Sequence, residues 1–331
     1  MNGARPRIVV VGSINRDLVI RCSHLPLPGQ TVTASDLREV SGGKGANQAV
    51  AASRAGGMVS MVGRVGDDAF AAPLLQQLTD DKIDVMYVDR SPGSSGIAVV
   101  AVEDSGQNSI LVVPGANGRV EAADVERARD LIASADAVLL QLEVPLAAVL
   151  KSIETASRSD VPVLLNPAPA PQRFDMRLLQ VDLICPNQSE AAEIVGHAVE
   201  DIESASQAAQ TLIAQGAKAA VITLGGDGAI VATAAGYKHI AAFSIQPVDT
   251  TAAGDAFAGA LAVRLIELSG GRPRRGEAFE LDLLAAATQF ACAAGGLAAS
   301  AAGAIPSLPH RAAIDRLVAA ALDSAATRKS I

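Results

Sequence analysis

The sequence predicts an α/β fold: a central, mostly parallel sheet with helices on both faces, plus a small antiparallel β lid. Three observations carry this expectation. Short β-branched runs recur along the 331 residues, helix-compatible stretches lie between them, and two extended stretches, 18–39 and 96–113, break the alternation.

The candidate core strands are 8–11, 138–141, 163–165, 183–184 and 221–224. Their apolar runs are nearly continuous, as parallel strands covered on both faces require. Between them, residues 46–55, 122–134, 145–158, 189–195 and 206–215 carry alanine, leucine, glutamate and glutamine in helix-compatible patterns. Abundant alanine predicts close approach of helices to the sheet. Residues 96–102 and 109–113 flank a polar turn containing Gly106 and read as a β-hairpin. The expected organisation is one domain over 1–331, with a lid from about 16–40 and 94–115 within it. One apolar face of such a sheet needs cover from a ligand, a second subunit or both.

A chain of this length can bury one large core and carry an appendage. Half the residues are apolar and 19% are charged, which places it with globular proteins. The net charge of −8 disfavours a nucleic-acid partner. The apolar run 8–11 is too short for a leader or a membrane span, and 290–305, interrupted by glycines, reads as a buried helix with its following loop. Cys22, Cys185 and Cys292 are odd in number and far apart, which fits core thiols in a reducing, cytoplasmic compartment. His24, His197, His239 and His310 lack zinc-ligand spacing. Arg272, Arg274 and Arg275 lie among glycine, proline and serine and read as a solvated loop, with phosphate binding as the alternative.

Nearly every predicted strand ends in polar residues: Asn15 and Asp17, Glu143, Asn166, Asn187 and Glu190, then Gly225 to Gly228. Any one could be a turn or a cap. Five such ends converging predict a crevice for a ligand with several hydroxyl groups and phosphates, because open α/β sheets bind ligands outside the carboxyl ends of their strands.

The sharpest local signal is VDTTAAGDAFAGAL at 248–261. Its Ala252-Ala253-Gly254 run can bring backbone amides to an anion at a helix start, with Asp255 in the first turn. An ionised carboxylate there can take a proton from an attacking hydroxyl while the amides stabilise the transferred phosphoryl group; a helix N-cap is the alternative for Asp255. The run SGGKGAN at 41–47 lacks P-loop spacing and reads as following no strand, which disfavours a nicotinamide dehydrogenase. Gly42, Gly43, Lys44 and Asn47 fit a hinge and substrate-contact loop, or else simple helix capping.

GSINRD, GGKGANQAVAA, NPAPA, PNQSEA, TLGGDGA and VDTTAAGDAFAGAL, in this order over roughly 8–311, resemble the ribokinase family of carbohydrate and nucleoside kinases, and its ribose-specific branch in particular. That resemblance implies ATP-dependent phosphorylation of D-ribose at O5, giving D-ribose 5-phosphate and ADP. It implies Asn15 and Asp17 on the sugar hydroxyls, Gly43, Lys44 and Asn47 closing around the sugar, and Glu143 opposite. Asp255 is then the base, with the amides from Ala252 to Asp255, including those of Ala253 and Gly254, as the anion hole. The ATP side is implied to use Asn187, Glu190 through Mg2+-bound water, Thr223, Gly225 and Gly228, with Cys292 near the adenine. A potassium site is implied at Asp249, the carbonyls of Thr251, Ala298, Ala301 and Gly303, and Ser307, and a homodimer through the lid. The alternatives are a kinase for 2-deoxyribose, another furanose or a nucleoside, and a catalytically silent sugar-binding regulator, which should have lost the base.

Overall fold

The computed structural model describes residues 4–103, 105, 107–171, 173–273 and 279–329, with the side chains of 108 and 322–329 excepted. Gly106, Arg274, Arg275 and Gly276 lie outside the described residues. The chain runs β1 (Arg7–Val11), β2 (Asn15–Cys22), β3 (Ala34–Gly42), α1 (Lys44–Arg54), β4 (Met58–Gly66), α2 (Ala71–Asp80), β5 (Asp84–Ser91), β6 (Gly96–Glu103) and β7 (Asn108–Val113). It continues through α3 (Ala122–Arg127), α4 (Arg129–Ser134), β8 (Ala137–Leu140), α5 (Leu146–Arg158), β9 (Val163–Leu165), β10 (Leu183–Ile184), α6 (Gln188–Val195), α7 (Ile202–Ala214) and β11 (Ala219–Thr223). The last elements are β12 (Ala229–Thr233), β13 (Gly236–Ile240), α8 (Ala253–Leu268), α9 (Leu281–Ala299) and α10 (Arg311–Lys329).

The main sheet has the order β13-β12-β11-β10-β9-β8-β1-β4-β5. Pairing is parallel from β5 to β11 and antiparallel at β11-β12 and β12-β13. Two apolar cores flank it. Ile8, Val10, Leu139, Leu164 and Val221 pack on the side of α1, α8 and α9, while Val9, Val11, Val138, Leu140 and Leu165 pack on the side of α5 and α7. Successive strand residues point to opposite faces, so burial on both sides leaves no polar alternation in the sequence.

All five expected core strands are present. The parallel strands β4 and β5 and the antiparallel pair β12 and β13 extend the sheet beyond them. The predicted helix 122–134 is divided at Ala128, and the predicted helix 206–215 starts earlier, at Ile202, because Asp201 caps it by accepting from the Ser204 amide. Arg272 is docked, donating to the carbonyls of Ala133 and Ala135 at the end of α4. The helix α9 is long and apolar enough to cross a bilayer, yet most of it is buried against α8 and β12.

A separate sheet of order β3-β2-β6-β7 comprises the two stretches that broke the pattern. Its outer pairs, β3-β2 and β6-β7, are antiparallel, and its central pair β2-β6 runs parallel. The chain leaves the main sheet after β1 and after β5 to build it, and returns each time. SGGKGAN therefore does follow a strand, a correction to the sequence reading. That strand, β3, belongs to the small antiparallel-edged sheet and not to a βαβ unit, so the Rossmann geometry is still missing.

Candidate active site

The order of the main sheet reverses at β1: β4 and β5 build outward on one side and β8 to β11 on the other, which opens a crevice at the carboxyl ends of β1 and β8. Ser13, just after β1, donates its hydroxyl to Glu143, just after β8, at 2.5 Å. The same Glu143 oxygen accepts the Lys44 backbone amide at 3.0 Å, and the Ser13 hydroxyl accepts the Gly45 amide at 3.2 Å. Glu143 thus ties the start of α1 to the switch point. Gly43, at φ 90°, makes the turn from β3 into α1.

Asp255 sits in the first turn of α8 and is 6% exposed. It does not cap the helix: Ala252 occupies the cap position, at φ 58°, a costly conformation for a residue other than glycine. The Asp255 carboxylate instead accepts from Asn47 Nδ2 and Gln48 Nε2, both at 2.9 Å. Adjacent residues of α1 thus hold both oxygens of the base candidate.

Toward the small sheet, Asn15 and Asp17 share one face of β2. Asn15 Oδ1 accepts from Asn117 Nδ2 at 2.6 Å, and Asn117 also bonds both backbone groups of Ile14. Asp17 is raised from 3.8 to about 7, first by burial and then by the negative charges of Glu143 and Asp255, with Arg16 opposing. Among the described residues, Asp17 Oδ1 and Asn47 Oδ1 are buried without a hydrogen-bond partner. Such groups are costly unless something satisfies them, and a polyhydroxylated ligand would. Burial works against the Lys44 ammonium, but Asp255, Glu143 and Glu190 outweigh it and hold its pKa above the ordinary lysine value. It is therefore a half-buried cation among carboxylates, at the cleft wall.

A cleft of about 190 Å³ is lined by Lys44, Asn166, Ala168, Cys185, Asn187, Glu190, Thr223, Thr250, Ala252, Gly254 and Asp255. Asn187 and Glu190 face it while forming the capping box of α6: Asn187 Oδ1 accepts the Glu190 amide at 2.8 Å and Glu190 Oε2 accepts the Asn187 amide at 2.9 Å. Burial raises the Glu190 carboxyl above its usual range, although the Asn187 amide and Lys44 oppose it. Gly225 and Gly228 frame the turn after β11 but do not line this cleft, nor does Cys292. The Cys292 thiol is buried and pushed up to about 12, and it lies beside Cys185, which does reach the cleft wall. A larger recess, about 300 Å³ and bordered by Arg5, Arg7 and Lys82, opens at the opposite, amino-terminal ends of β1 and β4. It lacks the converging carboxylates and the helix start, so we place the chemistry in the smaller cleft.

Asp249 lies outside the cleft. It accepts from the Thr251 amide at 2.9 Å, the Thr251 hydroxyl at 2.6 Å and, across to the loop after α9, the Gly303 amide at 2.9 Å. It therefore caps its own turn and also bridges two loops. Ala298 and Ser307 lie at the two ends of that second loop region, Ser307 donating its hydroxyl to the Ala304 carbonyl.

From the sequence, Ser13, Gln48, Asn117 and Gln141 are not named as site residues, Cys185 is taken as a core thiol only, and Asn166 only as a polar strand end. Ser13, Gln48, Asn166 and Cys185 lie in or beside motifs and Asn117 and Gln141 in none, and carboxamide pairing across 93 to 207 residues leaves no local pattern.

A buried carboxylate at a helix start, a lysine facing it and a polar cleft at the carboxyl ends of β9, β10 and β11 are an arrangement suited to phosphoryl transfer to a hydroxylated substrate. The chain belongs to the pfkB family of carbohydrate kinases, whose family model matches residues 5–311. It is 37% identical over 264 residues to the ribokinase of Haemophilus influenzae, covering 80% of this chain and 86% of that one. It is also 37% identical over 257 residues to a deoxyribokinase of Salmonella typhi, covering 77% and 84%. The structure of Arabidopsis thaliana ribokinase complexed with ribose and ATP superimposes with a TM-score of 0.84 at 31% identity, over 95% of this chain and 99% of that one.

Proposed function

We propose that the protein is an ATP:D-ribose 5-phosphotransferase with Asp255 as its general base. The observation that carries this is the placement of Asp255: a buried carboxylate, held at both oxygens, opening onto a cleft that also presents the first amides of α8. The relatives named ribokinase, and the neighbour solved with ribose and ATP, support the sugar and the donor.

In this reading Asn15, Asp17 and Asn47 hold the sugar hydroxyls, and Glu143 keeps Gly43 and Lys44 folded around them. Asp255 takes the proton from O5 as O5 bonds to the γ-phosphorus, the bond to the β–γ bridging oxygen breaks, and ADP leaves with that electron pair. The amides of Ala253, Gly254 and Asp255 and the Lys44 ammonium face the charge on the transferred group. Asn187, Glu190, Thr223, Gly225, Gly228 and Cys292 make up the nucleotide side. Mg2+, when bound, neutralises the donor phosphates, and Glu190 would hold its water shell.

Asp249, the carbonyls of Thr251, Ala298, Ala301 and Gly303, and Ser307 would hold a monovalent cation. One carboxylate among neutral oxygens fits potassium better than Mg2+, which takes tight octahedral geometry and keeps its waters. The contribution is to pin the loop that leads into the anion hole.

The small sheet is read as a lid and as the contact between two subunits. Ile110, Leu111, Val112 and Val113 on its edge strand are all at least 48% exposed. Free buried cysteines fit a reducing, cytoplasmic setting.

The deciding experiment measures ADP release over ribose, 2-deoxyribose, fructose and adenosine, for wild type and Asp255→Asn. Ribose should give the highest kcat/KM, and D255N should lose at least about 10²-fold in kcat with sugar affinity within a few-fold. A D255N enzyme with a tenth of wild-type kcat would remove the base, and a better rate on 2-deoxyribose would reassign the sugar.

A further inference from the structure

Gln48 is fully buried and does not line the cleft, yet it makes three hydrogen bonds around the base. Its Nε2 donates to Asp255 Oδ1 and to Asn166 Oδ1, each at 2.9 Å, and its Oε1 accepts from Gln141 Nε2 at 2.6 Å. Asn166 Nδ2 in turn donates to the Cys185 carbonyl at 2.9 Å. The relay crosses the carboxyl ends of β8, β9 and β10 beneath the first turns of α1 and α8.

The direction of this relay is set by its acceptor-only ends. The Cys185 carbonyl can only accept, so Asn166 turns its nitrogen there and its oxygen toward Gln48. An ionised Asp255 can only accept, so Gln48 must present its nitrogen at the junction, its oxygen must accept, and Gln141 must donate. Among the described residues Gln141 Oε1 is left buried with no hydrogen-bond partner, so the unsatisfied end of the chain falls away from the base. Turning the Gln48 amide over would break all three of its bonds and face an oxygen to the carboxylate.

The charges around Asp255 explain why a neutral donor belongs there. Lys44 at the start of α1 is one cation facing Asp255; Asp17 from β2 and Glu190 from α6 are carboxylates that face it, and Glu143 stands close to both Lys44 and Asp17. In a buried site so rich in negative charge, the ionised form of a base needs directed N–H groups.

We propose that Gln48 is a positioning residue that holds the Asp255 carboxylate turned toward the sugar hydroxyl. This rests on the reading of Asp255 as the base. Gln48→Glu, which keeps the shape, sets a second carboxylate against Asp255, and the two would share a proton. Its acid limb in the pH profile of kcat should move up by at least about one unit, with activity partly recovered at high pH and sugar KM within about threefold. Gln48→Met, which removes the polar atoms and keeps the length, should lose about 10-fold or more in kcat, again with sugar KM within about threefold and the acid limb moved upward. It serves if the Glu variant does not fold. Melting temperatures separate lost turnover from lost protein. An unmoved acid limb in a folded variant, or a kcat loss matched by an equal loss of folded enzyme, would overturn the proposal. With D255N assayed alongside, an inactive D255N beside an unmoved limb removes the relay alone, whereas an active D255N removes the base and the relay together.

Discussion

At Asp17, folding and binding pull in opposite directions. Its carboxyl is raised from 3.8 to about 7 by burial first, then by Glu143 and Asp255. The unfolded chain therefore ionises at this position near pH 4 and the folded chain only near pH 7, so this contribution to stability is full below pH 4 and is lost as the pH rises to 7. A pKa difference of about 3 corresponds to about 4 kcal/mol, reduced to about 2–3 kcal/mol because the carboxyl is partly open to solvent. Asp17→Asn removes the ionisation and keeps the shape. Without ligand, D17N should melt higher than wild type at pH 8, and the two should converge at pH 4. The sugar should bind D17N about 10- to 100-fold more weakly, the scale of one lost hydrogen bond to a charged acceptor. Wild-type sugar KM should rise by about fivefold from pH 7 to pH 6, while that of D17N stays flat. Calorimetric melts from pH 4 to 8 and KM at each pH provide the readout. A D17N protein that melts at or below wild type at pH 8, or a wild-type KM independent of pH from 6 to 8, would refute the account.

Gly259→Ala should cost about 1–3 kcal/mol and lower kcat more than it raises KM, because a Cβ there would stand 2.7 Å from Ala51 Cβ, from Ala52 N and from Gln48 O, and α8 would have to move off the helix that holds its base. Melting and steady-state kinetics on the one variant check both halves. Turnover at fixed ionic strength should fall when potassium is replaced by tetramethylammonium, and Asp249→Ala should abolish that difference; an equal salt response in both proteins would leave Asp249 as a loop bridge alone. Leu111→Lys, at a position 72% exposed, should shift a lid-mediated dimer to monomer in light scattering; a monomeric wild type at micromolar concentration would exclude that contact.

Much of this protein is legible in its sequence. The strands 8–11, 163–165 and 183–184 stand where their continuous apolar runs put them, because a strand buried on both faces cannot afford polar alternation. The edge elements β5 and β13 were missed because half-exposed strands mix polar and apolar residues without a clean period. The division at Ala128 was missed because the helix-forming composition continues through it.

The same contrast holds at the site. Asp255 and its small-residue run were visible because the pattern is local: amides and a carboxylate within one helix turn. Asn15, Asp17, Lys44 and Asn47 were proposed from the sequence as well, each inside a compact motif. What the tertiary structure alone decided is how these groups are held. Glu143 reaches back across 130 residues to Ser13, Asn117 across 102 to Asn15, and Gln48 across 207 to Asp255. Whether a carboxamide donates to a base or faces solvent depends on the packing of two helices over three strand ends. That packing is a property of the assembled core, where a buried donor must find an acceptor, and no spacing along the chain records which one it finds.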